Sequence, residues 1–142
     1  MIGPTGADIV LWVHVLAATV WIGGQVVIAL LVPLLRAEPA LLAEAARRYA
    51  QLAWSAFALL VMTGVINMHD AGIGIADLGS TGTGRTLGVK LVLVLVSGVA
   101  AAGHQVLSSR GRTSPMASAG LGGLSLLTAV AAALFGVVIA QS

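Results

Sequence analysis

The residues of this 142-residue chain that could do chemistry are few: the histidines His14, His69 and His104, the methionine Met68 beside His69, and Lys90, set in an otherwise apolar run. Imidazole nitrogen and thioether sulfur are competent copper ligands, and imidazole is also an axial ligand for haem iron. Their spacing is helical. His14, Ala18, Trp21 and Gln25 fall on one stripe of a helix, as do Lys90, Val94, Ser97, Ala101 and His104 on a second, and Gln51, Ser55, Met62 and His69 on a third. Ionisable residues in a membrane-embedded helix are costly and normally face a bundle interior or cavity, which makes them functional candidates. Lys90 and His104 are about 21 Å apart along a helix axis at 1.5 Å per residue, too far to share a ligand. His14, His69 and Lys90 are expected to converge at one end of the helices, with His104 a separate feature at the other.

Each of these residues has a plainer reading. His14 can serve as hydrogen-bonding glue between helices. His69, beside Asp70, suits the solvated negative end of a helix, and Lys90 can snorkel to the interface. His104 is expected at the interface. Trp12 and Trp54 suit an aromatic belt, whereas Trp21 is too central for one, and Met62 reads as core filler.

The elements that must position these groups follow from composition. Of the residues, 58% are apolar and 8% charged, with a mean hydropathy of +1.04, against roughly 25% charged in soluble domains. A bilayer span needs roughly 17 to 25 mostly apolar residues, and the charges leave four such stretches. The expected fold is therefore all-α: an integral membrane four-helix bundle forming a single domain over 1–142, with spans at about 9–35, 49–69, 87–108 and 116–140. Asp8 is the expected N-cap of the first helix. Residues 70–85, rich in Gly, Ser, Thr and Asp, read as a solvated loop. Gly64, Gly98, Gly103, Gly120, Gly122 and Gly123 are the expected points of close helix approach. The first stretch lacks a basic leader and is longer than a signal-peptide core, so it is expected to stay in the mature protein. The absence of cysteine excludes disulfides and thiolate sites. The scattered basic residues, despite a pI near 10.0, exclude nucleic acid as a partner. A bundle rich in small residues is compatible with a homodimer or with docking on a larger membrane partner.

Lys and Arg in short loops are retained on the cytoplasmic side. Arg36, Arg47 and Arg48 lie between the first two spans, and Arg110 and Arg112 between the last two. Asp70, Asp77 and Arg85 lie between the second and third. Both termini are thus expected to be extracytoplasmic, with His14, His69 and Lys90 toward the outer face and His104 toward the inner.

The run WVHVLAATVWIGGQ, in which His14 is followed by Trp21 and the pair Gly23-Gly24, resembles the first helix of the copper resistance D (CopD) domain. RRYAQLAWSAFALLVMTGV is similar to that family's second helix, and TGTGRTLGVKLVLVLVSGVAAAGHQVLSSR to its third. The resemblance covers about residues 10–112 and leaves the fourth helix to hydropathy. It implies a four-helix membrane domain that handles copper across the cytoplasmic membrane. His14, His69 and Met68 would offer two nitrogens and a sulfur near the outer face, with Trp21, Gln25 and Lys90 in support. The pattern also resembles the HemJ-type protoporphyrinogen oxidases, in which a His on helix one and a Lys on helix three match His14 and Lys90. That likeness implies a b-type haem between helices, with His14 as one axial ligand and His69 a candidate for the other, and a haem-dependent oxidoreductase as the enzyme reading. Either site needs a group that fixes the His14 tautomer, and Gln25 lies too far along the axis to provide it. A third reading is a structural or accessory subunit in which the polar stripes only set helix register.

Overall fold

The computed structural model describes residues 3–111 and 114–141. Its helices are α1 (Gly6–Leu35), α2 (Pro39–Asp70), α3 (Gly82–Ser109) and α4 (Pro115–Ala140), with a short 3-10 helix at Ile75–Gly79 between α2 and α3. All four α-helices are long and apolar enough to cross a membrane. They form two compact units, divided after Ile73: a hairpin of α1 with α2, and a hairpin of α3 with α4 that also carries the 3-10 helix.

In the first hairpin, α1 starts earlier than Asp8. The N-cap is Thr5, whose hydroxyl oxygen accepts from the Asp8 amide at 3.3 Å, while the Asp8 carboxylate accepts from the Thr5 amide at 2.8 Å. Asp8 is thus the third helical residue of a capping box rather than the cap itself. Pro39 occupies the first turn of α2, where a missing N–H costs nothing. Glu44 pairs with both Arg47 and Arg48 on the exposed early turns. The far end of α2 closes with Gly72 at a φ of +68°. There the Gly72 amide donates to the His69 carbonyl at 2.9 Å and the Ile73 amide to that of Met68 at 3.1 Å, the pattern of a Schellman stop. The buried residues of this hairpin are Ala17 and Trp21 on α1 and Ala53, Ala56 and Thr63 on α2.

The second hairpin corrects the expectation of a loop over 70–85. The Gly- and Thr-rich sequence folds into the 3-10 helix and the first turn of α3, with Thr81 as N-cap accepting from the Gly84 amide at 2.9 Å. Gly84 makes this possible, because a Cβ there would lie 1.9 Å from the Asp77 carbonyl oxygen. The α3 helix consequently begins before the expected 87. Ser114 caps α4, with Pro115 following it. Arg112, in the turn between α3 and α4, lies outside the described residues. The hairpin core is made of small residues: Ser97, Gly98 and Ala100 on α3 meet a helix whose buried residues are Ser125, Ala129 and Ala132. Small side chains let helix backbones approach closely, which is what drives helix pairing in lipid. The expected approach points at Gly103, Gly120, Gly122 and Gly123 are open, with nothing within 4 Å of an added Cβ.

Large apolar side chains cover the outside of both hairpins, among them Leu34, 75% exposed, and Leu127, 70% exposed. Such surfaces are untenable in water and normal in hydrocarbon. The backbone polar groups are satisfied within helices, as a spanning structure requires.

Candidate functional site

His14 sits on the face of α1 that meets α2. Its Nδ1 lies 2.9 Å from the Thr63 hydroxyl, and its ring edge packs on Gly64, where an added Cβ would lie 3.4 Å from Cε1. The Thr63 hydroxyl lies 2.6 Å from the Leu59 carbonyl oxygen. A hydroxyl has one proton, and a carbonyl can only accept, so Thr63 donates to Leu59 and its oxygen accepts from His14 Nδ1–H. This fixes the tautomer and places the imidazole lone pair on Nε2. Thr63 is therefore the tautomer-setting group that sequence reasoning did not find. It belongs to the Thr-Gly pair of α2, but its pairing with a residue 49 positions away has no local sequence signal.

About two and three turns further along α1, the stripe behaves differently. Trp21, 4% exposed, forms an aromatic cluster, its ring 4.6 Å from Phe57 and 5.7 Å from Trp54 between centroids. The Gln25 amide donates to the Trp21 carbonyl of its own helix at 3.1 Å, so it stays local. Beyond it, the Tyr49 ring lies over Gly24, where a Cβ would come within 2.6 Å of a ring carbon. The Tyr49 hydroxyl is buried without a hydrogen-bond partner among the described residues. Trp12 is exposed.

The third stripe, on α2, does not face α1. Gln51, Ser55, Met62 and His69 are all exposed, while Ala53, Ala56 and Thr63 take the buried side. Side-chain packing at the alanines, together with the His14–Thr63 bond, decided the rotation of α2. His69 consequently points away, its ring 3.7 Å from the Asp70 carboxylate. It lies about 9 Å along the axis from Thr63 and about 120° around it. Met68 is half-buried and four residues beyond Gly64, so it shares the face of α2 on which the His14 ring rests, about 6 Å further along. Met68 thus shares the face of α2 that His14 packs on, and His69 does not.

In the second hairpin, the α3 stripe does face its partner helix. The Lys90 ammonium packs at Gly136 of α4, 3.2 Å from where a Cβ would stand. The buried Ser97 hydroxyl donates to the Ser125 carbonyl at 2.8 Å. His104 Nδ1 lies 3.0 Å from the Ser118 carbonyl oxygen, a half-buried interhelical contact near the end of α3. Lys90 and His14 belong to different hairpins. Among the described residues, no group of three or more His, Cys, Asp or Glu side chains could hold a metal ion.

The family described as Copper resistance protein D has a model that matches residues 43–142. The match takes in α4, which the sequence resemblance left to hydropathy, and it starts beyond α1, whose His14-Trp21-Gly-Gly pattern carried much of that resemblance. No curated protein and no solved structure matches the chain. The HemJ-type likeness is not supported by these comparisons.

Proposed function

We propose that this chain, which belongs to the Copper resistance protein D family and is a multi-pass protein of the cell membrane, handles copper ions through His14. The observation that carries the reading is the hydrogen bond from His14 Nδ1 to the Thr63 hydroxyl. Metal-ligating histidines nearly always donate their other ring N–H to a fixed acceptor, which orients the ring and raises the basicity of the coordinating nitrogen. Here that nitrogen is Nε2, in a largely apolar helix pair where a bare cation would otherwise be costly.

The ion is the cargo. On this reading it is held between His14 Nε2 and the thioether of Met68, a nitrogen and a sulfur that together suit copper. His69, exposed at the end of α2, acts earlier, collecting the ion from solution rather than completing the same coordination shell. The basic α1–α2 and α3–α4 connections support a topology with both termini outside, which puts His14, Met68 and His69 toward the outer face. Trp21 and its aromatic neighbours close the hairpin beyond His14.

The test is a copper(I) titration of the purified protein in mild detergent, competed against a chromophoric chelator, with a visible spectrum of the dithionite-reduced protein alongside. The expected result is stoichiometric copper binding that is lost in His14→Ala and a featureless visible spectrum. Copper binding unchanged in a folded His14→Ala protein would refute the site. A Soret band lost in the same variant would transfer His14 to haem.

A further inference from the structure

The second hairpin repeats the arrangement at His14 on a residue that the proposed site does not use. We propose that His104 Nε2 is a second ligating position for the same class of soft transition-metal cation. This inference rests on the copper reading of the chain.

The geometry at His104 is more restrictive than at His14. Its Nδ1 faces the main-chain carbonyl oxygen of Ser118 at 3.0 Å, and a carbonyl can only accept. Nδ1 therefore carries the proton and Nε2 the lone pair, in neutral imidazole. A ring N–H donated to a backbone carbonyl is one of the standard supports of a metal-ligating histidine. The Ser118 hydroxyl, 3.3 Å from the same nitrogen, adds a second oxygen to the cradle. His104 Nε2 has no hydrogen-bond partner among the described residues, and the ring is half-buried rather than solvated. Of the three histidines, the two on hairpin-facing stripes share this support, and His69 does not.

His14 lies about 12 Å along α1 from Gly6, and His104 about 8 Å from the end of α3 at Ser109. One protein nitrogen makes a weak site whose remaining coordination is filled by water or by whatever molecule delivers or removes the ion. Interhelical glue alone would explain the Nδ1 bond but predicts no response of Nε2 to a metal.

That difference is measurable in the full-length protein labelled with ring-15N histidine, using silver(I) as a diamagnetic stand-in for copper(I). His69→Gln, His14→Gln and His104→Gln assign the three rings. The expected result is an Nδ1–H tautomer at His104 and a large upfield displacement of its Nε2 resonance on silver addition, retained in Ser118→Ala because the carbonyl belongs to the main chain. If His104→Gln does not fold, the small perturbation caused by Ser118→Ala assigns the wild-type signal. A His104 Nε2 resonance unmoved by silver while that of His14 moves overturns this inference and leaves the proposed function standing. Movement at His104 but not at His14 supports the inference and overturns the His14 site. An Nε2–H tautomer at His104 overturns it outright.

Discussion

The two hairpins solve the same packing problem with different materials. The α1–α2 hairpin closes on an aromatic cluster, buried Trp21 with half-buried Trp54 and Phe57, and on the His14–Thr63 bond. The α3–α4 hairpin is closed by small residues, with Ser97 and Ser125 both 1% exposed at its centre, and by a 3-10 helix seated on Gly84. Lys90 and His104 lie on α3 to either side of this closely packed centre. The comparison teaches that polar residues in a membrane chain are read best by what their second atom does. Thr63 and the Ser118 carbonyl fix ring tautomers, whereas the Ser125 carbonyl only fixes register.

This contrast can be broken at several points, and the largest effect is expected at Gly84. In Gly84→Ala the new Cβ would meet the Asp77 main chain, which cannot swing away as a side chain can. The expected loss is about 3 kcal/mol of stability, the upper range for overpacking. Chemical denaturation in detergent should show it, with Gly103→Ala, where nothing lies within 4 Å, behaving like the wild type. Equal stabilities would mean that the 3-10 helix is not seated as described.

In the first hairpin the expected losses are in affinity. His14→Ala should weaken copper(I) binding by at least about 100-fold, more than the loss of a supporting group alone. Thr63→Val keeps the shape and removes the acceptor for His14 Nδ1–H, and should weaken binding by about 10-fold, with Thr63→Ser restoring most of it. Chelator competition measures both, and a Thr63→Val protein that binds like the wild type would reduce Thr63 to packing. The smallest effect is expected for Ser97→Ala. It removes a donor to the Ser125 carbonyl and should cost about 0.6 kcal/mol, the average for interhelical hydrogen bonds in membranes, without changing copper binding.

Much of the fold was legible because charge is so sparse: the uncharged stretches mark the four spans, although α2 begins at Pro39 rather than 49 and α3 at Gly82 rather than 87. What was misread turned on local context. Asp8 has the right chemistry for an N-cap, but Thr5 three residues earlier completes a capping box with it. The run 70–85 has loop composition, yet its Gly84 is there to let a backbone approach rather than to loosen the chain. The glycines at 120–123 looked like approach points because spacing shows which residues could pack but not which face does.

The candidate site was legible only in half. Helical periodicity put His14 and Trp21 on one face of α1, and both do meet α2. The same periodicity grouped Gln51, Ser55, Met62 and His69 on α2, and that stripe turns away from α1 because Ala53 and Ala56 pack better against it. The family pattern was read over about residues 10–112 and matched over 43–142, so α2 and α3 were read in common, while α1 lies outside the match and α4 outside the reading.

The central claim is that copper is held by the Nε2 of a histidine whose ring is fixed by Thr63. The most direct test is the X-ray absorption spectrum of the copper(I)-loaded protein, compared with that of His14→Ala. The account predicts a nitrogen ligand with the multiple-scattering signature of imidazole, together with a sulfur at the longer thioether distance, and loss of the imidazole signature in the variant. An unchanged imidazole signature in folded His14→Ala, or a wild-type spectrum without one, would contradict it.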